Sequence, residues 1–180
     1  MVADHIKFTA SKGPYAPLIA EHMVLLMLSL ARNMPGLIKY QEEHRWVKDM
    51  RKGAPQTSAQ LLGKTIAILD VGQIGDNLAR MCKVGFGMRV LGMFRTTCNS
   101  EHVDRYFDRS ELLDALRQAD VVALCLAQTP ATENIIGKPE LEAMKPSAIL
   151  VNAARGGLID EDALVEAMNV EVIDGEILSG

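Results

Sequence analysis

Residues 61–75 constrain this chain more than any other stretch, because they set an apolar, β-branched run, Thr65–Leu69, directly before a glycine turn and an amphipathic helical pattern. That order of elements is how a dinucleotide-binding βαβ unit begins. Gly72 allows the backbone to approach a diphosphate, Gly75 allows helix and strand to pack closely, and the first amides of the helix point toward the phosphates. The first glycine of the G-x-G-x-x-G pattern is replaced by Asp70, which brings a carboxylate close to the path of a dinucleotide anion.

A second apolar run, Arg89–Met93, ends about twenty residues after the turn, where such a unit holds an acidic residue for the ribose 2′-hydroxyl when it uses NAD. Phe94 occupies that place, followed by Arg95 and Thr96. A guanidinium there pairs with a 2′-phosphate and a threonine hydroxyl adds a second donor, so the local chemistry favours NADP, with NAD possible. The competing reading makes Arg95 a solvated strand-end charge.

With 180 residues, 48% hydrophobic and 23% charged, the chain reads as one α/β domain, and its net charge of −4 gives no attraction to nucleic acid or anionic membrane. Cys82, Cys98 and Cys125 follow no metal-ligand spacing, so reduced thiols, a cytoplasmic location and no metal are expected. The segment from Ala20 to Ala31 contains the most apolar run, residues 23–31, too short to span a bilayer. It reads as a helix apolar on every side. Its own sheet covers one face, so Met23, Met27 and Leu30 are expected to need a partner, most simply a second copy. Pro35 and Gly36 interrupt it, a polar helical stretch runs on through Glu42, Glu43 and Trp46, and residues 51–60 form a loop.

The alternation continues with a helix over residues 109–118 capped by Ser110, a strand over 120–126, a turn at 129–132, a helix over 139–144 with Pro139 first, a strand over 148–152 and a helix over 160–168. Continuously apolar strands between helices mean a doubly wound parallel sheet, a Rossmann domain with ligands beyond the carboxyl ends of its strands. Residues 61–180 form this core, incomplete at its C-terminal end, and residues 1–60 supply interdomain or dimer helices and a loop.

Ala20-Glu21-His22, Leu62-Gly63-Lys64-Thr65, Thr129-Pro130-Ala131-Thr132, Met144-Lys145-Pro146, the run from Val151 to Gly157 and Asp160-Glu161 follow one another in order over roughly residues 16–168. In these motifs the chain resembles the nucleotide-binding domain of the D-isomer-specific 2-hydroxyacid dehydrogenases. The resemblance implies a hydride transfer between NAD(P) and D-2-hydroxy or 2-oxo acids. It further implies that the amides of Gln73 and Ile74 hold the diphosphate, that Leu126, Thr129, Pro130 and Thr132 lie beside the riboses, and that Ala153 contacts the nicotinamide end. Arg155 matches the catalytic arginine, whose planar fork suits the carboxylate and carbonyl of a 2-oxo acid.

Departures accompany the matches. The family's histidine and glutamate pair comes from segments beyond those represented in this sequence, and its substrate domain precedes the apolar helix, so the chain by itself is expected to be inactive. His5, His22, His44 and His102 do not stand at the motif for that role, and His22 reads as structural. Ala127 stands where many relatives have proline. Two other readings remain open: a non-catalytic dinucleotide-binding module, and a degenerate dimeric scaffold that has lost the cofactor through Asp70.

Overall fold

The structure is a computed structural model that describes residues 13–45, 59–93, 100–169 and 175–178. Six strands form one parallel sheet: β1 (Thr65–Leu69), β2 (Arg89–Met93), β3 (Arg105–Phe107), β4 (Val121–Leu124), β5 (Ile149–Asn152) and β6 (Gly175–Leu178). Their order is β3-β2-β1-β4-β5-β6, so the winding reverses between β1 and β4. A crevice opens at such a reversal because the connections leave to opposite sides.

The helices are α1 (Ala16–Ala31), α2 (Met34–Glu42), α3 (Gln73–Arg80), α4 (Leu112–Gln118), α5 (Lys138–Ala143) and α6 (Glu161–Asn169). Side chains alternate across each strand, so β1 divides its apolar residues between two cores. Ile66 and Ile68 pack with residues of α1 and α3, whereas Ala67 and Leu69 pack with residues of α4, α5 and α6. This two-sided burial is the physical reason for the unbroken apolar strands in the sequence.

Several expectations need correction. In α1 only one stripe is fully buried, Ala16, Ala20, Met23, Met27 and Ala31, at helical spacing. Met23 and Met27 therefore face the chain's own core, and Leu18 and Leu25 are the ones exposed, by 61% and 57%. Leu30 is half-buried, and His22 is exposed. The polar stretch ends as α2 at Glu42, with Trp46 and nearly all of the 51–60 loop outside the described residues.

Asp108, not Ser110, caps the next helical segment: its Oδ1 accepts from the Ser110 amide at 2.7 Å, while Glu111 Oε2 accepts from the Asp108 amide at 3.3 Å. This reciprocal pair satisfies two otherwise orphaned donors, and the chain starts there as a 3-10 turn before α4. Pro139 is the second residue of α5 and not the first. Strands β3 and β6 carry too little local pattern to have been read from the sequence. β3 has three residues and opens on the exposed Arg105.

Asp120 ties together the amino-terminal ends of the central strands β1 and β4 by accepting from the Thr65 amide at 2.9 Å and from Lys145 Nζ at 2.9 Å. Partial burial works against its ionisation, yet the Thr65 hydrogen bond and the two lysines, Lys145 and Lys64, hold its carboxyl below the usual range. The core-facing stripe of α1 holds Met23 and Met27 fully buried. Met27→Ala should lower the unfolding free energy in urea by about 2–5 kcal/mol, the usual cost of emptying a buried Met site. A loss under about 1 kcal/mol would show that α1 does not pack on the sheet.

Candidate functional site

At the carboxyl end of β1 the chain turns through Asp70, Val71 and Gly72 into α3. The Val71 amide binds the Met93 carbonyl at 3.1 Å, which ties the turn to the end of β2. Asp70 has φ +76°, a left-handed conformation in which a glycine is free of strain and most other residues are not. Asp tolerates it better than most because its side chain is short and polar. Gly72 is extended and caps α3, and its carbonyl accepts the first helical bond from Asp76 at 2.8 Å.

Two glycines here have separate reasons. A Cβ on Gly75 would stand 2.4 Å from the Asp70 carbonyl oxygen, so the close seating of α3 on the turn excludes any side chain at that position. A Cβ on Gly72 would meet only the Asp70 carboxylate oxygens, at 3.9 and 4.0 Å. The space above Gly72 is therefore open, and it faces the helix end whose first amides lack partners within the helix. Gln73 and Ile74 supply two of those amides. The Gln73 side chain is exposed and lies against Gly13, while Ile74 is half-buried on the core.

Across the crevice stand the loop after β4 and the turn after β5. Leu126 is buried, so its side chain belongs to the core. Thr132 Oγ1 accepts from the Thr129 amide at 2.8 Å and donates to the Ala127 carbonyl at 2.8 Å, with Thr129 Oγ1 at 3.0 Å. Its hydroxyl is thus spent on shaping the loop, and the half-buried Thr129 and exposed Pro130 form the surface.

After β5, Asn152 is the buried polar side chain among the described residues. Its Oδ1 accepts from the Ala154 amide at 3.0 Å and its Nδ2 donates to the Arg155 carbonyl at 2.8 Å. These bonds hold Ala153, half-buried, and Arg155, exposed with Nη1 donating to the Ala154 carbonyl at 2.7 Å. A Cβ on Gly157 would lie 2.3 Å from Gln128 Nε2, so the two loops pack directly on each other. Asn152 and Gln128 were missed as site-building residues. The readable signal for Asn152 was an amide ending an apolar strand, since a buried amide needs partners.

A cleft of about 580 Å3 opens beside the glycine turn, lined by Val71, Gly72, Gln73, Asp76, Ser100, Glu101 and His102. The last three come from the segment before β3 and were not foreseen in this role. Phe94, Arg95, Thr96 and Cys98 lie outside the described residues. His22, exposed on α1, His44, after α2, and His102 belong neither to the Thr129 loop nor to the Arg155 turn. Cys125, at the β1–β4 reversal, has its Sγ 3.8 Å from Met23 Sδ. Burial, with lesser contributions from Asp70 and Cys82, pushes its thiol up to about 12, and burial does the same to Cys82. Both thiols are thereby held protonated and unreactive. Among the described residues no group of three or more His, Cys, Asp or Glu side chains could hold a metal, and no helix is long and apolar enough to cross a membrane.

A parallel sheet in this order, an open glycine turn at a helix end and an arginine-bearing turn across the reversal define a dinucleotide-fold domain. Residues 24–178 match the family described as D-isomer specific 2-hydroxyacid dehydrogenase, NAD binding domain, and the chain belongs to that family. Similar curated proteins include glyoxylate/hydroxypyruvate reductase B of Enterobacter sp. (strain 638), 38% identical over 86% of this chain and 48% of that protein. Hydroxypyruvate reductase of Thermotoga maritima is 33% identical over 96% of this chain and 52% of its own length. The chain thus spans about half the length of these two relatives. Among solved structures, a glyoxylate reductase from Paecilomyes thermophila superposes with a TM-score of 0.78 at 32% identity, covering 91% of this chain and 48% of its own. An NAD-complexed D-isomer specific 2-hydroxyacid dehydrogenase from Lactobacillus delbrueckii ssp. bulgaricus gives 0.76 at 30%, covering 93% and 48%.

Asn152→Ala would leave the Ala154 amide and the Arg155 carbonyl without their partner inside the turn. The expected loss is about 1–3 kcal/mol in urea unfolding, whereas Arg155→Ala, at an exposed side chain, should change stability by less than about 0.5 kcal/mol. Equal losses in the two variants would remove Asn152 from its positioning role.

Proposed function

We propose that this domain binds NAD(P) across the β1–β4 reversal and serves hydride transfer between the cofactor and a D-2-hydroxy or 2-oxo acid. The observation that carries the reading is the open backbone at Gly72 under the amino end of α3. That arrangement fits a diphosphate, because amide donors converge there and no side chain fills the space. Gly72, Gln73, Ile74 and Gly75 would hold the diphosphate, and Leu126, Thr129, Pro130, Thr132 and Ala153 would border the riboses and the nicotinamide end. The cofactor supplies or accepts the hydride when bound.

Arg155 is the residue assigned to the acid. Its guanidinium binds the substrate carboxylate and draws charge from the carbonyl oxygen, which is where negative charge develops as hydride arrives. Its exposure on a turn held by Asn152 supports that role, since the head is accessible while the backbone is anchored. A proton must also reach the carbonyl oxygen, and none of the described histidines belongs to the Arg155 turn. The described residues on their own are accordingly assigned binding without turnover.

Arg95 and Thr96 support NADP as the preferred cofactor, through paired donors to a 2′-phosphate. Asp70 favours a second reading, a non-catalytic or scaffold module, because its carboxylate lies about 4 Å from the open space at Gly72. Calorimetric titration separates the two. NADPH should bind more tightly than NADH, and Asp70→Asn, which keeps a residue tolerant of the left-handed region, should tighten both by about tenfold. No glyoxylate- or hydroxypyruvate-dependent oxidation of NADPH is expected from the same preparation. Equal affinities, or NADH preference, would overturn the NADP assignment. Absence of binding in both proteins would favour the scaffold.

We also propose a symmetric dimer through the outer face of α1. Leu18 and Leu25 are exposed there, and Val24, Val84 and Phe86 line a neighbouring groove with Met81. Burying a handful of such side chains contributes roughly 1.5–3 kcal/mol each, enough for lasting association. Light scattering after size exclusion should give twice the 19.7 kDa chain mass, and Leu25→Lys should give single chains. A wild-type monomer at micromolar concentration would overturn the dimer.

A further inference from the structure

The cleft beside the glycine turn has a charge pattern that the family motifs do not contain. Two carboxylates among its described lining residues come from different elements: Asp76 from the first turn of α3, and Glu101 from the segment before β3. Its one basic side chain among the described lining residues is His102, whose Nε2 lies 3.9 Å from Glu101 Oε1. Neither lysine nor arginine lines it among those residues. The Glu101 side chain is 88% exposed and thus free to turn toward a bound molecule, while that of His102 is 20% exposed.

A dinucleotide held by its diphosphate at Gly72 must send its two nucleosides in opposite directions. One runs toward the β4 and β5 loops, where Arg155 stands. The other runs toward the side of β2 and β3, where Ser100, Glu101 and His102 form the far wall of the cleft. An adenosine sugar on that side would meet Glu101 and Asp76. A carboxylate accepts hydrogen bonds from an unmodified ribose and repels a 2′-phosphate, which carries close to two negative charges at mildly alkaline pH.

We infer that Glu101, supported by Asp76, is a specificity-determining residue that acts against the 2′-phosphate and favours the unphosphorylated cofactor. This rests on the reading that the cleft takes NAD(P). It sets Glu101 in opposition to any donor at the end of β2, so that the net preference is the difference between the two.

The test is a titration of the full chain with NADH and NADPH, followed by nicotinamide fluorescence at pH 8 and low salt. Glu101→Gln should tighten NADPH by about threefold to tenfold relative to NADH, and Glu101→Lys should tighten it further. Raising the salt to about 0.5 M should shrink the Glu101→Gln effect, since the carboxylate is exposed and its field is screened. Glu142→Gln, on the exposed side of α5, should leave the ratio alone. Binding of both cofactors with an unchanged NADPH-to-NADH ratio in both Glu101 variants would overturn this inference alone. Failure of every protein to bind either cofactor would overturn the cofactor reading and this inference together.

Discussion

The contact on which the rest of the structure depends is the seating of α3 against the Asp70 carbonyl, made possible by the missing side chain at Gly75. With a 2.4 Å clearance, even a methyl group would force the helix away from the strand. The open space at Gly72 and the direction of the first α3 amides are set by this approach, and so is the packing of Leu78 and Ala79 on the same core as Ile66 and Ile68. The geometry of the open turn is thus a consequence of core packing and not a separate surface feature.

Asp70 shows how such a site can keep its shape while changing its electrostatics. Its left-handed backbone preserves the turn that glycine ordinarily makes, and the Val71 amide still reaches the Met93 carbonyl. Conformation and charge are therefore separable at this position. The backbone requirement is met at the cost of modest strain, whereas the carboxylate changes what an anion encounters.

The opposite side of the crevice is built on different physics. There the shape comes from hydrogen bonds: Thr132 closes the loop after β4, Asn152 closes the turn after β5, and the contact of Gln128 with Gly157 joins them. Arg155 gains a fixed base with an exposed head. An arrangement of this kind keeps exposed functional groups in register without burying them.

Fold class, the strands β1, β2, β4 and β5 and the glycine turn were legible in the sequence, because continuous apolar runs and glycine placement are local signals with direct physical causes. The family motifs at Thr129 and Arg155 were legible for the same reason: each is a contiguous run. The orientation of α1 was not. In that helix only Glu21 and His22 mark the outer side, a weak signal beside so many apolar residues, and the packing against β5 and α3 decided that Met23 and Met27 lie inside and Leu25 outside. Strand β3 lacks a local pattern and exists because β2 offers it an edge. The sequence by itself determined the order of the elements and the chemistry of the two loops, since these follow from neighbours along the chain. Tertiary structure alone decided that Glu101 and His102 face Gly72 across one cleft, because residues about thirty apart meet only when the sheet sets β1 beside β2 and β2 beside β3.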